Sequence, residues 1–345
     1  MLFDLHPKEN REELFGRNKE VDYAVKQLLS GNWLLVGGQR EIGKTSLVKV
    51  VLNELKKSYG LKTIYLNLRG TKSLNGLLNS LLSQISTLKL SLNLKVNLVF
   101  GSAEIGIKKK TRTMSSLTEL LNSLEDFVIA LDELQELSKV SKQLLDVLGN
   151  VFSTNPKISF VFTGSYVGVV RLLLNPPSSS PLHGRPPASL MLKPFTQELS
   201  NEFLMKGMKE LNVKFDKEDV VVKKLDGIVG WLTLFGNLYA VRGLGFSEAL
   251  RETIEEGKKI MADELLHFLE DKANKKLYIE ILRVAKVVSK WNEIKTGVEA
   301  RVGKIDDKTF SKALEALVNS GFLEKMDGEY FISDPVLREV GFEKL

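Results

Sequence analysis

Short apolar runs recur through the first half of the chain, at residues 33–36, 63–68, 127–131, 158–162 and 189–192. Between them the apolar positions fall three and four apart. Val21, Ala24, Val25, Leu28 and Leu29 form one such stripe, Leu47, Val48, Val51, Leu52 and Leu55 a second, and Leu74, Leu77, Leu78, Leu81, Leu82 and Ile85 a third. Runs of that length suit strands buried on both faces, and the stripes suit amphipathic helices. Strand and helix in alternation predict an α/β core with a parallel sheet. Residues 90–113 break the rhythm. Leu92, Leu94, Val96 and Leu98, then Ala103, Ile105 and Ile107, alternate with polar residues on either side of Gly101, which predicts an inserted β-hairpin.

Beyond residue 195 the pattern is helical only, punctuated by Gly227 and Gly230. A last segment reads as helices over 276–289, 291–300 and 307–320, then strands over 322–325 and 330–332 about Asp327-Gly328. Three helices and a hairpin with an Asp-Gly turn predict a winged helix. The expected organisation is a core over 1–194 carrying the hairpin insertion, a helical lid over 195–272, and a winged-helix domain over 273–345.

Composition narrows the chemistry. At 345 residues the chain exceeds a usual single core, and 43% hydrophobic with 27% charged residues is ordinary for a soluble protein. The absence of cysteine excludes disulfides, thiolate zinc sites and thiol nucleophiles. The three histidines, His6, His183 and His267, are far apart and lack a carboxylate cluster, so a zinc hydrolase is not supported. No export signal or membrane span is read, and a cytoplasmic location is expected. A formal charge of +6 permits contact with nucleic acid without requiring it. The basic stretch 108–112 reads as a partner contact or as a solvated run protecting a sheet edge.

The chemistry concentrates after the first run. Gly38-Gln39-Arg40-Glu41-Ile42-Gly43-Lys44-Thr45, followed by Ser46, has the spacing of a phosphate-binding loop between a strand and a helix. Its glycines let backbone N–H groups face an anion at a helix N-terminus. Lys44 brings a charge to the β- and γ-phosphates, and the Thr45 hydroxyl is a ligand for Mg²⁺. The run 127–131 ends in Asp132 and Glu133. A carboxylate at the carboxyl end of a central parallel strand faces the crevice where ligands bind, so Asp132 is the expected second Mg²⁺ residue and Glu133 the residue that polarises water. The run 158–162 ends in Thr163-Gly164-Ser165, where Thr163 or Ser165 serves as a γ-phosphate sensor or caps the next helix. Arg185 lies in a proline-rich loop and can supply charge to a phosphoryl transition state. Arg17 and Glu20, taken alone, read as a surface ion pair at a helix entry.

With these motifs, Ser180-Pro181-Leu182-His183-Gly184-Arg185 and Ile332-Ser333-Asp334-Pro335-Val336-Leu337-Arg338 in order, the chain resembles the archaeal ATPase family. That family belongs to the signal-transduction (STAND) ATPases and is related to AAA+ and origin-recognition ATPases. The resemblance covers nearly the whole chain. It implies an ASCE-type P-loop core with a helical lid and a winged helix, and ATP/ADP with Mg²⁺ as ligands. It also implies that Arg17, in Phe15-Gly16-Arg17, lies beside the nucleotide and that Arg185 completes the charge clamp. The family's lid often carries Gly-x-Pro, whereas this chain has Gly227-Ile228-Val229.

Two functions are expected from this pattern. The first is a Mg²⁺-dependent ATPase switch coupled to the winged helix, with a protein partner or a second copy of the chain as its target. The second is an ATP-gated DNA-binding protein akin to replication initiators. The third winged-helix segment carries Lys308 and Lys312 against Asp306, Asp307 and Glu315, a weak charge pattern for the major groove.

Overall fold

The computed structural model describes residues 1–87, 106–164, 169–270 and 272–342. They group into two units: Pro7–Gly37 with Lys44–Met191, and Met1–His6 with Gly38–Gly43 and Leu192–Leu345.

The first unit is a five-stranded sheet. Its elements are α1 (Asn18–Leu29), β1 (Leu34–Gly37), α2 (Lys44–Tyr59), β2 (Lys62–Asn67), α3 (Leu74–Thr87), α4 (Gly106–Asn122), β3 (Phe127–Asp132), α5 (Ser141–Thr154), β4 (Ile158–Thr163), α6 (Val169–Leu174) and β5 (Ala188–Met191). The strands run parallel in the order β2-β3-β4-β1-β5. Every residue of β1, β3 and β4 is buried, because helices cover both faces of such a sheet and its strands are apolar on both sides. Leu35, Ile64, Leu66, Ile129, Leu131, Phe160 and Phe162 pack with residues of α3, α4 and α5 in one core. The intervening residues point to the opposite face, where α2 crosses the strands. Tyr65, Asp132 and Thr163 share that second parity.

The expected hairpin is corrected where the structure describes it: Gly106–Asn122 is helical, so the 106–113 end of the insertion is not a strand. Residues 90–105 of that expectation lie outside the described residues. The alternation of Ile105 and Ile107 is too short to fix a period. The stripe formed by Leu117, Leu120 and Leu121, all fully or nearly fully buried, anchors a helix instead.

The second unit holds α7 (Gln197–Glu210), α8 (Glu218–Leu225), α9 (Val229–Gly236), α10 (Phe246–Leu269), α11 (Lys275–Ala285), α12 (Trp291–Val302), α13 (Asp307–Asn319), β6 (Leu323–Met326), β7 (Glu329–Ile332) and the short α14 (Pro335–Arg338). The antiparallel pair β6–β7 turns through Asp327 at φ 51° and Gly328 at φ 84°. Two positive φ angles give the tight turn that follows strand twist, which is why Asp-Gly occupies it. The first six residues group here and not with the sheet they precede. Phe3 supplies the reason. Its ring is fully buried, edge-on to Phe203 at 5.7 Å, and fits only because positions 207 and 236 are glycine, where an added Cβ would lie 2.3 Å from it. Asn237 Nδ2 donates to the Phe3 carbonyl at 2.9 Å, and the Leu2 N–H donates to Glu210 at 2.8 Å. No helix among the described residues is long and apolar enough to cross a membrane.

Candidate nucleotide-binding site

The loop joining β1 to α2 is bent by three positive φ angles, at Gly38 (136°), Glu41 (54°) and Gly43 (93°). Successive residues that switch hand turn their N–H groups inward and make an anion cradle, here running into the N-terminus of α2 at Lys44. Gly38 is required on a second count, since a Cβ would lie 2.8 Å from the Leu192 carbonyl. Ile42 is fully buried and fixes the loop from below.

The loop is also held from its own unit. The Gly230 N–H, in the first turn of α9, donates to the Glu41 carbonyl at 2.8 Å. Arg40 forms an ion pair with Glu264 of α10. Gln39 Nε2 donates to the Ser333 carbonyl at 3.0 Å, just after β7. Ser333 is followed by Asp334, a buried carboxylate that accepts from Trp231 Nε1 at 3.1 Å and from the Val336 N–H at 2.7 Å. Burial pushes the Asp334 carboxyl above the ordinary aspartate range, against the pull of those donors.

Within the sheet unit the chemistry gathers on Asp132, which is 2% exposed. Its Oδ2 accepts from the Thr45 hydroxyl at 2.9 Å and from the Tyr65 hydroxyl; its Oδ1 accepts from the Thr163 hydroxyl and, at 3.1 Å, from the Glu133 N–H. Four donors compensate the desolvation of one carboxylate. Thr163 belongs to β4, which lies between β1 and β3, so its polar end meets the Asp132 carboxylate directly. Glu133 takes a left-handed conformation at φ 60°, which costs a non-glycine residue about 1 kcal/mol or more. Its carboxylate accepts from Gln135 Nε2 and lies 3.8 Å from Arg69 Nη2.

Thr45 and Asp132 thus present two hard oxygen donors that touch, a pair suited to Mg²⁺ and unsuited to soft metals. No cluster of three or more His, Cys, Asp or Glu side chains able to hold a metal occurs among the described residues. A cation here would be held by the Thr45 oxygen and, through its water, by Asp132.

The other expected residues are placed as follows. Arg17 is 7% exposed and donates to Glu20 at 3.0 Å, so the pair is not a solvated surface bridge. The Ser46 hydroxyl accepts from the Lys8 N–H at 3.1 Å. Ser165 lies outside the described residues. Arg185 is not brought to the carboxylates: it lies over the Phe152 ring at 5.5 Å and donates to Ser153 at 3.2 Å, near the end of α5. Phe152 packs on Trp33 at 5.1 Å, and Trp33 precedes β1. Arg185 therefore sits at the amino edge of the sheet, a strand's length from Asp132. Tyr65 was not singled out from the sequence, because an aromatic residue inside a strand reads as β-propensity alone. The signal that finds it is parity, since it shares the face of Asp132 on the neighbouring strand.

Comparison with known proteins agrees with this geometry. Residues 14–235 match the model of the ATPase domain found predominantly in Archaea, and residues 272–333 match the C-terminal winged helix-turn-helix domain of MCM proteins. The chain is similar to the Walker-type ATPase PABY2304 of Pyrococcus abyssi, at 30% identity over 100% of both chains with a TM-score of 0.80. It shares its fold with the ORC2 protein of Aeropyrum pernix in ADPNP–ADP complexes, at 14% identity over 99% of this chain and 96% of that one, TM-score 0.59. It shares it also with Cdc6p of Pyrobaculum aerophilum, at 14% identity with the same coverage and a TM-score of 0.52. No curated protein sequence matches the chain.

Proposed function

The chain belongs to the ATPase family found predominantly in Archaea, and from that premise we propose that it is a Mg²⁺-dependent ATP-hydrolysing switch whose nucleotide state is read out by its winged helix. The observation that carries the proposal is the set of bonds on the phosphate-binding loop. Gln39 is bonded beside the winged-helix strand β7, Arg40 to α10, and Glu41 to α9. A γ-phosphate that rearranges this loop must strain or break those bonds, and so changes the position of the elements they hold.

In this reading Gly38 to Ser46 cradle the phosphates, and Lys44 places its charge on them. Thr45 and Asp132 hold Mg²⁺, which when bound neutralises phosphate charge. Glu133 orients the attacking water once it leaves Gln135, and Thr163 keeps Asp132 aligned. Arg185 serves a neighbouring copy's nucleotide rather than its own. The division into core, lid over 195–272 and winged helix over 273–345 belongs to the same proposal.

ATP turnover and ATP binding, measured in parallel, test it. Lys44→Ala is expected to lose both, and Glu133→Gln to retain binding while turnover falls at least a hundredfold. Equal turnover in wild type and both variants would overturn the assignment. The competing reading, ATP-gated DNA binding, draws on the MCM-like winged helix. Against it, the exposed face of α13 sets Lys308 and Lys312 against Asp307 and Glu315, so it carries no net charge for a major groove.

A further inference from the structure

Tyr65 stands where neither the motif nor the family resemblance places a functional residue. It lies in β2 opposite Ala130 of β3, with Asn67 opposite Asp132, so its side chain reaches two residues along the sheet to the Asp132 carboxylate. Its hydroxyl donates to Asp132 Oδ2, the oxygen that also accepts from Thr45. The two groups assigned to Mg²⁺ thus meet at the carboxylate oxygen that the phenol also occupies.

A carboxylate offers two acceptor positions on each oxygen. On Asp132 the Thr163 hydroxyl and the Glu133 N–H fill Oδ1, and the Thr45 and Tyr65 hydroxyls fill Oδ2. A metal ion held through the Thr45 oxygen leaves the Thr45 hydrogen free to stay on Asp132. A water of the ion's shell, however, needs an acceptor position that the phenol occupies. Thr163 is a short, fully buried side chain at the end of β4 and the N–H belongs to the backbone, whereas Tyr65 ends a long side chain that can turn aside. We infer that Tyr65 is a positioning residue that occupies the acceptor position on Asp132 needed by a metal-bound water, and so raises the Mg²⁺ concentration the site requires.

This inference rests on the assignment of the ATP site, and the test separates the two. A fluorescent ATP analogue is titrated with full-length wild type and Tyr65→Phe, without divalent cation and over a range of Mg²⁺. Phenylalanine keeps the ring and the Lys49 ammonium lying 5.4 Å from its centroid. Metal-free affinity is expected to match wild type, which also reports an intact fold, while the half-saturating Mg²⁺ falls roughly fivefold or more, as removal of a hydrogen bond competing for a charged acceptor predicts. An unchanged or raised half-saturation in Tyr65→Phe, with Mg²⁺-dependent binding normal in wild type, overturns the inference and leaves the ATP site standing. Failure of wild type to bind the analogue at any Mg²⁺ concentration overturns both.

Discussion

Asp132 and Asp334 are the two buried aspartates of the described structure, each 2% exposed, and they are compensated differently. Asp132 meets three hydroxyls and an N–H. Asp334 meets only N–H donors, from Trp231, Val336 and Leu337, and its burial raises its pKa, with Glu41 as a further repulsive charge. The sign of the linkage follows. A carboxyl whose folded-state pKa lies above its unfolded value of 3.8 contributes stability that is fully present below that value and is lost as pH rises through the folded pKa. Thermal melting of wild type should therefore show a loss of stability with rising pH that begins near the ordinary aspartate range and levels off once Asp334 has ionised. Asp334→Asn should lack this slope while losing some stability at every pH, because its amide cannot both cap α14 and accept from Trp231. Identical pH slopes in the two proteins would remove Asp334 as the cause. Ser333-Asp334-Pro335 was legible in the sequence only as part of a family pattern. Its capping of α14 is local, an Asp N-cap followed by Pro335, but its receipt of an indole N–H depends on Trp231, a hundred residues away, and no local rule joins those two.

At the scale of elements, the sheet was legible because burial on both faces leaves an uninterrupted apolar run, and β1, β3 and β4 are such runs. The meeting of Asp132 and Thr45 was legible because one lies at a strand end and the other at a helix start on the same edge of the sheet. The 106–113 end of the expected hairpin misled because alternation carried only as far as Ile107 does not outweigh the helical stripe formed by Leu117, Leu120 and Leu121. The bonds on the phosphate loop were not legible at all: Arg40 and Glu264 are 224 positions apart, and their pairing is a property of packing. That pair is partly buried on both sides, at 25% and 17% exposure, so it is worth more than a surface bridge, on the order of 1–3 kcal/mol. If it restrains the loop in its resting form, Glu264→Ala should speed release of fluorescent ADP about fivefold or more, Arg40→Ala should do the same, and the double variant should add little. An unchanged release rate in Glu264→Ala would mean that the pair braces the fold without governing the nucleotide.

At the scale of the whole molecule, the net charge of +6 draws any polyanion weakly, and the question is whether nucleotide changes that attraction. The α13 face is nearly neutral, and Lys295 of α12 spends its charge on Glu299 at 3.2 Å and on Asp307 at 2.8 Å. A basic winged helix would instead leave such lysines directed at phosphates. The switch reading therefore expects duplex DNA to bind only at low salt, with a shallow dependence on salt concentration and the same affinity in ADP and in a non-hydrolysable ATP analogue. The mass of the protein in solution, or its complex with a protein partner, should be what differs between the two nucleotides. Titration of labelled duplex between low and physiological salt, with sizing of the same samples, separates the readings. Each phosphate contact adds about one unit to the slope of log affinity against log salt. A slope of several units together with a tenfold or larger gain in DNA affinity on exchanging ADP for the ATP analogue would make the winged helix a gated DNA-binding element and displace the protein-directed switch.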